Sequence, residues 1–166
     1  MKNLIIGIVI VGNFIVQSTA LHNFSFLGVL PNTTLIIIIA FAIHFGEKKG
    51  AVIGAIAGLI QDIIFGRAIG MNALAYMLTG YFTGMMSQKI IKENIVTPIL
   101  LTAISTILNA CINLFFIYFL GFTTEVLLLF RETIIVEMPY NVVLSIPIYI
   151  YITKLINSKI MKQEYY

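Results

Sequence analysis

Leu35-Ile36-Ile37-Ile38-Ile39-Ala40 is apolar at every position. A membrane barrel strand alternates apolar and polar residues with a period of two, and this run does not alternate. Around it the composition is extreme: 60% of the 166 residues are hydrophobic and 10% are charged, with a mean hydropathy of +1.02. Soluble domains are about one quarter charged, so there are too few polar side chains here to cover a water-facing surface. Lipid is the implied solvent, and backbone groups in lipid must be paired within the segment or within a closed barrel. The fold class read from the sequence is therefore an all-α integral membrane protein. A span takes about 20 residues. Allowing for loops, the chain holds about six transmembrane helices in one multi-span domain, 1–166.

Working outward from residue 35, Pro31-Asn32-Thr33 has the form of a helix start, with Pro tolerated in the first turn and Asn or Thr able to cap. The spans read as about 4–21, 34–45, 50–65, 71–86, 95–120 and 134–156. Glu47-Lys48-Lys49 reads as a tight charged turn, 66–70 as a second turn, and 121–133 as the longest connection. Spans two and three are short for a full crossing, which local bilayer thinning or flanking residues would relieve. The N-terminal apolar run carries Ser18-Thr19-Ala20, which resembles a cleavage site. The rest of the chain is equally apolar, so the run is read as a first span that is kept.

Orientation follows from the cations, which favour the cytoplasmic side. With six spans and both termini cytoplasmic, eight of the ten basic residues fall inside: Lys2, Lys48, Lys49, Lys89, Lys92, Lys154, Lys159 and Lys162. Arg67 and Arg131 fall outside. The expected location is the bacterial cytoplasmic membrane. The net charge of +3 comes from lysines at segment ends, and no basic patch interleaved with aromatics points to nucleic acid. The lone Cys111 excludes an internal disulfide and a thiolate metal cage, and its apolar surroundings suggest a buried, inert thiol. His22 and His44 lie on opposite sides of the membrane in this topology and cannot share a metal. Neither a nucleotide loop nor a nucleophile–base pair is visible, so no enzyme and no cofactor is expected.

Three polar or small-residue patterns remain. Gly50, Gly54 and Gly58 repeat every four residues on one helix face, flanked by Ala51 and Ala55. Such a strip lets another backbone approach closely, either a neighbouring span or a partner's helix. Gly80 and Gly84 repeat the device in span four. Thr102, Thr106, Asn109 and Asn113, with Ser105 beside them, form a polar face on span five. It must meet protein or water rather than lipid. Asn13 and Gln17 form a similar pair in span one that could face it. Finally, Asp62 and Glu137 are acids inside spans, which makes them functional candidates by default. Both lie near the outer ends of their helices, level with Arg67, Arg131, Asn72 and Asn141. The candidate outer cluster is therefore Asp62, Arg67, Asn72, Glu137 and Asn141, with Gln61 nearby. It could relay protons, bind a cation or a cationic solute, hold a loop and a partner helix, or be a purely structural ion pair such as Asp62 with Arg67. Pro139 and Pro147 break the backbone ladder of span six, which should kink there or begin after Pro139.

The order Gly54-Ala-Ile-Ala-Gly58-Leu-Ile-Gln61-Asp62, Gly70-Met-Asn72-Ala73-Leu-Ala-Tyr76, Gly80-Tyr81 and Gly84 resembles the bacterial rod shape-determining MreD family. Ile69 stands where that family's motif has leucine. Pro139-Tyr-Asn141-Val-Val-Leu-Ser-Ile-Pro147-Ile-Tyr149 is similar to the family's last span. The resemblance implies a non-enzymatic scaffold in the cell-elongation and peptidoglycan-synthesis machinery. Its partners would be an MreC-like bitopic protein and, indirectly, the actin-like MreB, RodA and a class-B penicillin-binding transpeptidase. It also implies a fold similar to the substrate-binding S components of energy-coupling-factor transporters. The alternative function is thus a membrane subunit for a vitamin-type solute. Span one lacks the Ala-x-x-x-Ala docking strip common in such subunits, which counts against that alternative.

Overall fold

The computed structural model describes residues 2–19, 29–66, 68–88, 94, 96–121 and 126–158. His22, Arg67, Lys89, Lys92, Lys159 and Lys162 lie outside the described residues. The described chain is all helical: α1 (Lys2–Thr19), α2 (Thr33–Phe45), α3 (Glu47–Phe65), α4 (Met71–Ser87), α5 (Val96–Phe119), α6 (Val126–Glu132) and α7 (Met138–Ile156), with a π-helical turn, Thr133–Glu137, joining the last two. Since α6, the π turn and α7 run on without a break, the helices form six rods. Two stretches, Val96–Phe119 and Leu127–Ile156, are long and apolar enough to cross a membrane. The shorter helices α1 and α2 are apolar too.

The apolar run around residue 35 becomes the central pillar. A helix that is hydrophobic all round belongs in a core, and every residue of α2 from Thr33 to Ile43 is buried. Helices α3, α4, α5 and α7 all pack on it, with α1 alongside. At 13 residues, α2 is about 20 Å long at 1.5 Å per residue. Its neighbours shield it from Thr33 to Ile43. Asn32 caps its start by accepting from the Leu35 N–H at 3.0 Å. It stops at Gly46, whose φ of 83° suits glycine. The charged turn expected at 47–49 is therefore shorter than read: Glu47, Lys48 and Lys49 form the first turn of α3, and Gly46 alone reverses the chain.

The closest helix pair is α3 with α4, and glycine causes it. A Cβ on Gly50 would lie 2.6 Å from the Gly80 carbonyl oxygen, and one on Gly58 would lie 2.5 Å from the Ala73 Cα. A Cβ on Gly54 would strike the Tyr76 carbonyl. From the other side, a Cβ on Gly84 would meet the Glu47 Cα at 2.5 Å. The Gly50, Gly54, Gly58 strip thus faces α4 backbone to backbone, as small-residue strips do where dispersion replaces the hydrophobic drive.

Several expectations are corrected. Span six does not begin after Pro139. Pro139 is the second residue of α7, and the helix continues back through the π turn to Val126. The segment 121–133 is therefore partly helix rather than all connection. Asn13 and Gln17 do not face α5. The Asn13 amide donates to the Thr34 hydroxyl at 2.9 Å, and that hydroxyl donates to the Gln17 carbonyl at 3.1 Å, tying α1 to α2. Phe14 against Phe65, with ring centroids 6.4 Å apart, ties α1 to α3. Cys111 is exposed rather than buried, because it lies on the α5 face opposite Thr106 and Asn109, which are buried.

Candidate outer polar site

The helices alternate direction, so the start of α2, the end of α3, the start of α4 and the start of α7 come together at one end of the bundle. Asp62 stands at the end of α3 and is 3% exposed. Its carboxylate accepts four hydrogen bonds: from the Gly70 N–H at 2.8 Å, the Asn72 N–H at 3.1 Å, the Asn72 side-chain amide at 2.9 Å and the Ala73 N–H at 3.1 Å. A carboxylate offers about four acceptor positions, so none is left over. Three of the four donors are backbone N–H groups at the start of α4, which attract an anion through their partial positive charge. Asp62 thus serves as the N-terminal cap of α4, whose own preceding residue, Gly70, has no side chain to do so.

A second network lies beside it. The Tyr76 hydroxyl, on a fully buried side chain, shares its one proton between the Asn32 side-chain oxygen at 3.0 Å and the Gln61 side-chain oxygen at 3.3 Å. The Asn32 N–H donates to the Asn141 carbonyl oxygen at 2.9 Å. The Asn141 amide then reaches the Thr106 hydroxyl at 3.3 Å and the Glu137 carboxylate at 3.4 Å. Six elements are joined this way: α2 through its cap Asn32, α3, α4, α5, the π turn and α7. Buried amides are costly unless paired, so this network accounts for Asn141, which is 0% exposed.

The sequence-predicted residues therefore divide. Asp62 pairs with Asn72, while Asn141 pairs with Glu137 and Thr106. Arg131 is exposed on α6. Asn32 and Tyr76 hold the second network together, and sequence reasoning had given them no such role. The signal available was that a buried tyrosine needs a partner for its hydroxyl.

The polar face of α5 also divides. Thr102, Thr106 and Asn109 are buried. Ser105 meets the Thr83 hydroxyl at 2.7 Å, which ties α5 to α4. The Asn113 amide donates to the Asn109 backbone carbonyl at 3.1 Å. The Thr102 hydroxyl and the Asn109 side-chain carbonyl are buried without a partner. Asn32, Asn109, Asn113, Glu132, Thr133 and Glu137 line a cavity of about 360 Å³ at this end of the bundle. Among the described residues, no group of three or more His, Cys, Asp or Glu is placed to hold a metal ion.

The opposite end is tied more simply. His44 meets the Thr153 hydroxyl at 2.9 Å and stacks on Tyr149 with centroids 5.3 Å apart. Ser87 donates to the Gly84 carbonyl at 2.8 Å, and Gln88 donates to Glu47 at 3.3 Å.

Searches of curated proteins and of solved structures return no match. The family model for the rod shape-determining protein MreD matches residues 1–158. That match spans nearly the whole chain, including both glycine-bearing helices, the Asp62 cap and the Asn141 network. The chain belongs to the MreD family of rod shape-determining proteins.

Proposed function

We propose that this protein is a non-enzymatic, multi-pass scaffold of the bacterial cell-elongation machinery. It lies in the cytoplasmic membrane with six spans and both termini inside, and its outer half receives an MreC-like partner. Family membership across residues 1–158 carries the reading. The physical support is twofold. Large apolar side chains such as Ile8, Ile63, Val143 and Tyr151 stand exposed around the bundle, which suits a lipid surround. The polar groups within the bundle are mostly spent on one another, as expected of a part whose task is to hold shape. Through the partner it would act on MreB, RodA and the class-B transpeptidase that build lateral wall.

The test is conditional depletion in the host with imaging of cell width. Rounding or widening that the wild-type gene reverses is the expected result. Unchanged width and length would overturn it. The cavity beside Asn109 and Glu137 favours one second reading, a membrane subunit for a solute with a fold similar to transporter S components. Depletion would then impair uptake and leave shape intact.

A further inference from the structure

Helix α1 is fastened to the bundle through its second half. Asn13 and Gln17 hold the Thr34 hydroxyl, and Phe14 meets Phe65. Its first half lies against α2 and stands off from α3. Between α1 and α3 this leaves a groove of about 490 Å³, within the size range of small-ligand sites. Gly7 is on its wall, and a Cβ there would meet nothing within 4 Å. The two helices run parallel, and the groove follows α3 from Lys48 to Ile56, about 12 Å at 1.5 Å per residue. Half of a bilayer's hydrocarbon core is about 15 Å, so the groove runs most of the depth of one leaflet.

Its polar and apolar parts are separated along the axis. Asn3, Lys48 and Lys49 line the end nearest the helix starts, and Ile6, Ile10 and Ile56 line the rest. Both lysines are exposed. Glu47, next in the chain, accepts from Gln88 on α4 at 3.3 Å. Lys49 Nζ lies 5.5 Å from the centroid of the Phe45 ring, a contact that leaves its charge uncompensated. Snorkelling alone places lysines at a membrane interface, but it does not open a groove beneath them. A cationic mouth over an apolar floor complements an amphiphile with an anionic head and an alkyl tail. A partner's membrane helix, apolar along its length, would use the floor and leave the lysines idle.

We propose that this groove seats an anionic phospholipid of the cytoplasmic leaflet. One acyl chain lies between α1 and α3, and the headgroup phosphate meets Lys48 and Lys49, with the Asn3 amide as a further donor. An ammonium offers three donors and no acceptor, the complement of phosphate oxygens. Basic pockets between membrane helices on the cytoplasmic side take such headgroups. The lipid fills the space that α1 leaves at its loosely held end. The inference rests on the membrane reading and orientation proposed above.

The experiment titrates the full chain in detergent micelles with phosphatidylglycerol or phosphatidylcholine of identical acyl chains, read by native mass spectrometry. Saturable binding of one phosphatidylglycerol is expected, about tenfold or more tighter than phosphatidylcholine. Lys48→Gln combined with Lys49→Gln should abolish that preference. Gly7→Leu, whose side chain enters open space, should weaken both lipids. Changes on two separate helices keep the test alive if one variant fails to fold. Equal binding of the two lipids by wild type, a preference that survives loss of both lysines, or a Gly7→Leu variant that binds as wild type does would each overturn the proposal. A photo-crosslinking residue at Val52 in cells reads the occupant directly. A lipid adduct supports the proposal, and a polypeptide adduct in its place overturns it. Alkaline carbonate extraction tests the membrane reading by itself. A chain that stays in the membrane pellet but shows no lipid preference ends the groove proposal and leaves that reading standing.

Discussion

Gly54→Ala tests the α3–α4 contact directly. A Cβ at that position meets the Tyr76 carbonyl and lies 2.6 Å from its carbon and 3.0 Å from the Met77 nitrogen. Ordinary contact for a Cβ begins at 3.4 Å, so the two backbones must part by about 1 Å at the crossing. The obstructing atoms are backbone, and no rotamer change relieves them. Separation on that scale forfeits a quarter to a half of each dispersion contact. Overpacking of this kind costs about 1–3 kcal/mol, and the rigid neighbour places it in the upper half of that range. Alanine's better helix propensity returns about 0.5–1 kcal/mol, leaving a net loss of about 1–2 kcal/mol. The same change at Gly12 is the internal control, because nothing lies within 4 Å of its Cβ. Gly12→Ala should be neutral or slightly stabilising. The assay is reversible unfolding of detergent-purified protein, all variants side by side. If Gly54→Ala is as stable as Gly12→Ala, the backbone contact described above is wrong. A Gly54→Leu variant that stayed fully stable yet lost a partner would turn the strip into an external interface.

Four further outcomes are expected. Asp62→Asn sets an amide N–H₂ against backbone donors and removes hydrogen bonds made to a charge, each worth about 1.5–3 kcal/mol; unfolding midpoint and expression should both fall, and an unchanged midpoint would show that the cap contributes nothing. Tyr76→Phe removes one hydroxyl bridging Asn32 and Gln61 and should cost about 0.5–1.5 kcal/mol, the net worth of an ordinary hydrogen bond, because Asn32 keeps the Leu35 N–H and both acceptors are half-buried; a neutral result in the same unfolding assay would dissolve the network. Asn109→Leu should raise the midpoint of the ligand-free protein, since an unpaired buried acceptor costs about 1–3 kcal/mol, and a lowered midpoint would mean that the carbonyl is satisfied. Cys111, exposed on α5, should resist a charged water-soluble maleimide in nanodiscs and react once the protein is denatured in SDS, because the reagent does not enter lipid. Rapid labelling in nanodiscs would put that face in water.

The parts of this architecture legible from the chain alone are those that depend on local pattern. The unalternating run at 35–40 made a helix, and Pro31 marked where its rod starts, while Pro139 and Pro147 fell inside a continuous rod. The four-residue spacing of Gly50, Gly54 and Gly58 signalled a close backbone approach. The polar face of α5 could be read as turned away from lipid, and Asn141 as part of an outward-facing polar cluster, whereas in the fold it is wholly buried. Ends were harder to place. Glu47-Lys48-Lys49 looked like a turn because it is charged, yet charge does not break a helix, and Gly46 had already reversed the chain.

What the sequence by itself determined is which stretches are helical, which faces are apolar, and that acids and amides set within apolar helices had to find partners. Burial away from water forces those outcomes on any arrangement of the helices. Only the tertiary structure decided who the partners are. Asp62 is spent on the start of α4, Asn13 and Gln17 on Thr34, and Asn141 on Asn32, Thr106 and Glu137, while the buried Asn109 side-chain carbonyl is left without one. Asn32 and Asn141 are 109 residues apart in the chain, and whether they touch depends on crossing angles and on one extra residue in a π turn. Those depend on how whole side-chain surfaces fit together, and the spacing of residues along one helix carries no record of it.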